Sequence, residues 1–282
     1  MTFRTLLLTV VAMLAFAANS LLCRIALVDV RIDPATFGSI RLASGALMLA
    51  LIVRLRREGG AGSAGDWPAA TMLFAYVAFF SFAYLSLSAG VGALILFGAV
   101  QLTMLGAGLW AGERFAPAAW AGLAAAVVGL VYLVSPGLAA PPAASAASMM
   151  LAGVAWGVYS LRGRGVFDPL AATASNFARA VLPALGLSLL TASYAHADGA
   201  GIALAIASGA LTSGLGYVIW YAALRGLTAM RAASVQLSVP PIAALGGVLV
   251  LSEPLTSRLL IGTAAILGGI SVVLATRARS AG

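Results

Sequence analysis

The sequence contains no lysine; all 16 of its basic residues are arginine. It has one cysteine, Cys23, and one histidine, His196. Only 8 of its 282 residues are acidic, and charged residues of both signs make up 9%. Each shortage excludes something. Without lysine there is no P-loop, whose lysine reaches the phosphates, and so no ATP-driven motor in this chain. One cysteine permits neither an intrachain disulfide nor a cysteine metal site. The single histidine sits in the polar stretch YAHADGAG and reads as a surface loop residue. No nucleophile–base pair and no metal cluster appears at depth. An enzyme, a catalytic residue, a metal and a cofactor are therefore not expected. The pI of 10.6 does not imply nucleic acid, because the arginines form no basic patch on a soluble face.

What is present is apolar. Hydrophobic residues make up 62% of the chain, and the mean hydropathy is +1.06. A soluble domain carries about 25% charged residues. Apolar runs recur from end to end at about 20 residues each, the length that crosses a bilayer as a helix. The first run is too long for a signal peptide, and a second follows at once. Ten spans are expected, roughly 4–28, 34–53, 67–88, 91–111, 116–135, 143–162, 169–191, 200–224, 228–251 and 256–276. With the N-terminus inside, the inner loops and ends hold Arg4, Arg54, Arg56, Arg57, Arg114, Arg162, Arg164, Arg225, Arg277 and Arg279, and the outer loops hold Arg31 and Arg258. Positive charge prefers the cytoplasmic side. The chain is thus expected to be an all-α, multi-pass protein of a bacterial inner membrane. Both termini are placed in the cytoplasm.

The two halves resemble each other. A shift of 140 residues places Phe16, Asn19 and Ser20 on Trp156, Tyr159 and Ser160. The same shift places Gly106, Leu109, Glu113, Gly122 and Gly129 on Gly246, Leu249, Glu253, Gly262 and Gly269. A slightly smaller shift places Arg41 on Arg179. Each half has an odd number of helices, so the second enters the membrane from the other side. The expected organisation is two inverted-topology five-helix repeats, residues 1–138 and 139–282, around a central cavity. The two VQL triplets containing Gln101 and Gln236 are not repeat equivalents. They are five residues out of register, about 7.5 Å along a helix.

Glutamates close helices 4 and 9 in WAGERFAPAAWAGLAAAVVGLVYL and LSEPLTSRLLIGTAAILGGISVVL, and each is followed by a helix with spaced glycines. With WGVYS in helix 6, the chain resembles the EamA-type ten-helix proteins of the drug/metabolite transporter superfamily. Amino-acid exporters of the YddG type are the nearest group. The resemblance implies export of small metabolites. Helix 9 carries Pro240 and Pro241, frequent in that family, whereas helix 4 has Gln101 where a proline often stands.

The acidic residues lie at or near helix ends, none near a midplane. Ion-coupled carriers commonly bury a carboxylate as the ion site, so facilitated transport is expected. Glu113 and Glu253 read as helix-end caps or partners of Arg114 and Arg258, with substrate contact as the alternative. Arg24 can snorkel. Arg41 and Arg179 lie deeper, either paired with carbonyls or facing a substrate carboxylate. Among uncharged residues, Ser and Thr read as interhelical hydrogen-bonding groups. Asn19, Gln101, Tyr159, Ser160, Gln236 and Ser238 are candidate substrate contacts. Tyr76, Phe79, Phe80 and Tyr84 share a helical face, as do Tyr217, Trp220 and Tyr221. Tyr84 and Tyr221 are expected in the interfacial aromatic belt. Tyr76, Phe79, Phe80, Phe97, Trp156, Tyr217 and Trp220 are expected to wall the cavity. Aromatic walls with a few amides suit aromatic or other hydrophobic amino acids moving by alternating access. A drug or nucleotide-sugar exporter on the same fold is the alternative. Pro183, Pro240 and Pro241 are expected to kink helices, the last two as a hinge. The expected partners are a small-molecule substrate and the lipid bilayer, with the protein a monomer and no nucleic acid involved.

Overall fold

The computed structural model describes residues 2–56, 65–112, 114–137, 140–163, 166–227 and 229–280, with side chains described outside 229–230 and 277–280. Arg57, Glu58, Glu113 and Arg164 therefore lie outside the described residues, and so do the side chains of Arg277 and Arg279. The described chain is helical, with one isolated antiparallel bridge between Ile32 and Ala197.

We number the helical rods α1 Phe3–Val28, α2 Pro34–Leu55, α3 Trp67–Ala83, α4 Ala89–Trp110, α5 Pro117–Val134, α6 Ala143–Arg162 and α7 Pro169–Leu190. Rod α8 runs over Gly199–Leu224. Rod α9 comes in two pieces, Ala229–Gln236 and Val239–Leu251, and α10 is Ser257–Ser280. Among the described residues, 8 helices are long and apolar enough to cross a membrane. Two rods fall outside that group. Helix α3 is apolar but has only 17 residues, and α7 carries Thr173, Ser175, Asn176 and Arg179 along its length.

Aspartates start the helices. Asp33, Asp66, Asp168 and Asp198 each accept a hydrogen bond from the first-turn backbone N–H groups of α2, α3, α7 and α8. A carboxylate there answers the unpaired amides and the positive end of the helix dipole. The expected location of acids at helix ends thus has a direct cause. His196 lies in the α7–α8 connection. Its backbone is held to Asp33, and its Nδ1 meets the carbonyl of Tyr194 at 3.0 Å.

Three rods depart from the expected spans. Helix α3 stops at Ala83, so Tyr84 to Leu87 form a turn before α4 rather than a continuation. In α8, residues Ala207–Leu215 widen into a π-helix. Rod α9 breaks at Leu237–Ser238, and Pro240 and Pro241 open its second piece. Proline suits the first turn of a helix, where its missing N–H is not needed. The proline pair therefore begins a helix instead of bending one, while Pro183 does lie inside α7.

The packing repeats itself between halves. Helix α2 packs on α7, α4 on α9, and α5 on α10. The contact of α3 with α6 is answered by that of α8 with α1, and α2 with α8 by α7 with α3. Helices α5 and α10 cross at Gly122 and Gly269. A Cβ at Gly122 would stand 2.6 Å from the Gly269 carbonyl oxygen, so only glycine allows that approach. Large apolar side chains face outward, as Leu185, Leu189 and Leu190 of α7 do. That surface suits lipid, whereas in water it would drive aggregation.

Candidate functional site

Between the two sets of helices lies a cavity of about 720 Å³. Trp156 of α6 is the hub of its wall. The indole ring lies 4.9 Å from Tyr76, 5.4 Å from Tyr159 and 5.4 Å from Tyr217, stacked on the last two. Phe16 of α1 meets Tyr217 and Trp220 edge-on. Phe80, Phe97, Ser160 and Gln236 also line the space. Gln101 lines it too and is buried in the protein.

Asn19 is held from both sides. Its Oδ1 accepts from Ser208 at 2.7 Å and from Thr212 at 3.3 Å, and its Nδ2 donates to the Tyr76 hydroxyl at 3.4 Å. Both hydroxyl donors belong to the π-helical part of α8. That widened turn brings them onto one wall beside Ser213. The same Tyr76 hydroxyl accepts from Arg41 Nη2 at 3.0 Å, and Arg41 Nε donates to Ser213 Oγ at 3.3 Å. Arg41 is 1% exposed and forms part of the cavity wall. Its guanidinium lies 5.1 Å and 5.0 Å from the ring centres of Tyr76 and Phe80. The cation–π attraction of two rings partly replaces lost water. Gly209 lets α8 approach this part of α2, because a Cβ there would collide with the Arg41 backbone and Ser44.

The cavity has one open end. Gly65, Asp66, Arg162, Gly163, Val166 and Pro169 line it at the α2–α3 and α6–α7 connections. There Arg162 donates to Asp66 at 3.0 Å, with both side chains about half exposed. The backbone N–H of Ala69, followed by Arg162, holds the Asp66 carboxyl below its ordinary value of 3.8.

Beyond the opposite end, Arg24 Nε donates to Glu253 at 3.2 Å, the two side chains 14% and 13% exposed. Arg24 Nη1 donates to the carbonyls of Tyr84 and Leu85 at 2.9 Å and 3.1 Å. The other Glu253 oxygen accepts from the Ala89 N–H at 2.8 Å. Ser252, the residue before Glu253, ends α9 in the left-handed region at φ 53°. That turn aims Glu253 back across the bundle. One arginine and one glutamate thus tie α1, the α3–α4 turn and the α9–α10 turn together.

Several expectations are corrected here. Glu253 pairs with Arg24, not with Arg258, which donates instead to carbonyls of Tyr132, Leu133 and Ser135. Arg24 is therefore engaged rather than snorkelling. Arg41 binds hydroxyls, not carbonyls. Arg179, expected to be its repeat partner, donates to Ser175 Oγ and lies over Trp67, away from the cavity wall. Phe79 is 39% exposed on the outer side of α3, because its neighbours at a spacing of four, Tyr76 and Phe80, already claim the inner face. Ser238 caps the break in α9, and its exposed hydroxyl donates to Val235 O, so it does not line the cavity. Tyr84 is fully buried and donates to the Ala89 carbonyl. Tyr221 lines the cavity and shares a hydrogen bond of 2.9 Å with Thr173. Neither tyrosine is an interfacial anchor. The Ser160 and Thr173 hydroxyls bond back to carbonyls of their own helices, with no span between helices in the case of Ser160. Thr173 and Asn176 were overlooked as cavity residues. Their spacing of three, which puts them on one face of α7, was the available signal.

Residues 144–275 match the family model of EamA-like transporters. A protein of Pseudomonas aeruginosa described as "Uncharacterized protein PA1977" is 56% identical over 274 residues, covering 97% of this chain and 96% of its own length. The second half of the chain thus carries an EamA-like transporter domain. An "Uncharacterized transporter" of Archaeoglobus fulgidus is 24% identical over 257 residues, covering 87% of this chain and 90% of its own. A crystal structure at 20% identity superposes with a TM-score of 0.68 over 97% of this chain and 98% of that one. That domain and the long apolar helices together support a multi-pass membrane transporter of small solutes.

Proposed function

We propose that the protein exports aromatic or other hydrophobic amino acids by alternating access. The observation that carries this reading is the single cavity with two unlike ends. Its lining reaches exposed residues at the α2–α3 and α6–α7 connections, and the Arg24–Glu253 pair lies beyond its other end, outside the lining. All ten rods cross the membrane in this reading, as two inverted five-helix repeats. The arginine distribution puts the open end in the cytoplasm, where an exporter loads. Aromatic rings contact the apolar body of the solute, and Asn19, Gln101, Gln236 and Asn176 offer neutral polar partners. The only carboxylate on the cavity wall among the described residues is Asp66, at the mouth and already paired. Transport is then driven by the solute gradient alone. The break in α9 ahead of Pro240 and Pro241 serves as the hinge.

The test is counterflow in proteoliposomes against each of the twenty amino acids. Exchange is expected for phenylalanine, tyrosine, tryptophan or large aliphatic residues. Exchange of none of them would reject the substrate assignment. The flux should persist when the proton gradient is collapsed at constant solute gradient; its disappearance would reject the facilitated mechanism. Replacing both Pro240 and Pro241 with alanine should slow exchange, and an unchanged rate would reject the hinge.

A further inference from the structure

Among the described residues Arg24, Arg31, Arg56 and Arg162 each meet a carboxylate within ion-pair distance. Arg41 does not, although it is the most deeply buried of the cavity's cations. Its Nε and Nη2 are used on the neutral hydroxyls of Ser213 and Tyr76, and its Nη1 has no hydrogen-bond partner. A guanidinium stays charged at any physiological pH. A buried charge is expensive unless an opposite charge joins it, and an ionisable side chain at membrane depth generally faces a substrate or ion path. Within the protein, two aromatic faces and two hydroxyls give only partial compensation. Nη1 is left to donate to an acceptor that the protein itself does not supply, and a carboxylate is the strongest such partner for a guanidinium.

We infer that Arg41 is the anion subsite of this cavity and that it selects solutes by their carboxylate. The inference rests on the transport reading above and narrows its substrate class. The solute is an aromatic monocarboxylate, its ring against Tyr76, Trp156 and Tyr217 and its carboxylate on Arg41. An α-amino group is tolerated but not required, because no unpaired carboxylate lines the wall among the described residues to receive an ammonium. The class therefore extends beyond amino acids to aryl-alkyl carboxylates that lack the amine. Arg179 does not share the task. Its stacking on Trp67 leaves it off the wall, so the cavity has one anion subsite rather than a symmetric pair.

Three probes separate the groups: phenylalanine, 3-phenylpropionate, which lacks the amine, and phenylalaninamide, which lacks the carboxylate. Binding to the purified full chain in nanodiscs is followed by quenching of tryptophan fluorescence. Competition with counterflow is followed in proteoliposomes. In the unaltered protein, phenylalanine and 3-phenylpropionate should bind within threefold of each other, and phenylalaninamide at least tenfold more weakly. Arg41→Gln should weaken both carboxylates at least tenfold and leave phenylalaninamide unchanged, while Arg41→Lys retains part of the carboxylate preference. A variant that merely misfolds loses all three probes alike, and the comparison within the unaltered protein then decides. Equal binding of phenylalanine and its amide would overturn the inference, as would failure of 3-phenylpropionate to bind. Exchange of neutral solutes without carboxylates would sink the anion subsite and leave the transport reading intact. No exchange of any solute would sink both.

Discussion

One arginine–carboxylate pair stands at the mouth of the cavity and another lies beyond its far end, and the two pairs are not alike. Arg162 and Asp66 meet at the open mouth with side chains 43% and 50% exposed. Arg24 and Glu253 meet beyond the far end at 14% and 13%. The chemistry is the same, yet water is present at one and largely excluded at the other. Exposed pairs contribute about 0–1 kcal/mol, because solvent screens them and the side chains lose freedom. A secluded pair costs more to form and far more to break, since removing one partner leaves the other charged and unmatched. That pair also recruits three backbone groups from the α3–α4 connection. Burial, rather than the presence of an ion pair, makes it a latch.

The largest effect is expected from Glu253→Gln. It leaves Arg24 with carbonyls alone and should destabilise the purified protein by about 3 kcal/mol, measured by denaturation in detergent. Counterflow should fall with it, because the far end no longer reseals. A loss below about 1 kcal/mol would make the two ends equivalent and dissolve the contrast. Next, combining Arg24→Glu with Glu253→Arg restores the opposite charges without the original backbone hydrogen bonds. A double-mutant cycle should give a coupling of about 1–3 kcal/mol. At the mouth, Arg162→Ala should cost about 0.2–1 kcal/mol, an effect that shrinks as salt is raised.

The smallest effect is that of pH at Asp66. Its carboxyl is held below its ordinary value of 3.8 by the Ala69 N–H and then by Arg162. Asp66 thus favours the folded protein above that value, and the contribution is lost as pH falls through the lower folded value. The stability difference between the unaltered protein and Asp66→Asn should stay flat from pH 7 to about pH 5 and close only below it. A difference that vanishes near neutrality would show that the mouth pair is not held as described.

Much of the helix arrangement was legible in advance because the bilayer restricts the choices. A backbone that must satisfy every hydrogen bond internally is helical, and its apolar length reports each crossing. The Asp-Pro pairs at 33–34 and 168–169 stand at the starts of α2 and α7. Breaks were harder. The sequence pattern through helix 9 is continuous in hydropathy, and only the proline pair hinted that the rod divides at Leu237–Ser238. The π-helical stretch of α8 had no comparable mark, although Gly209 and Gly214 lie within it.

For the cavity, residue type alone told less than position. Eleven candidates line it, whereas Phe79 and Ser238 do not. Phe79 and Phe80 are adjacent and chemically identical, so only the rotation of α3 against its neighbours separates lipid from cavity. The same holds for arginine. Arg41 and Arg179 were expected to match in the two halves, yet one enters the wall while the other stacks on Trp67.

By itself the sequence determined that this chain is a helical membrane protein with its acidic residues at or near helix ends. Those properties follow from composition, hydropathy length and local hydrogen bonding, which act within a few residues. Only the tertiary structure decided that Arg24 is bound to Glu253, 229 positions away, and that Arg41 is left without a counter-charge. Pairing at such separation depends on how the rods rotate and cross, and no local pattern carries that information.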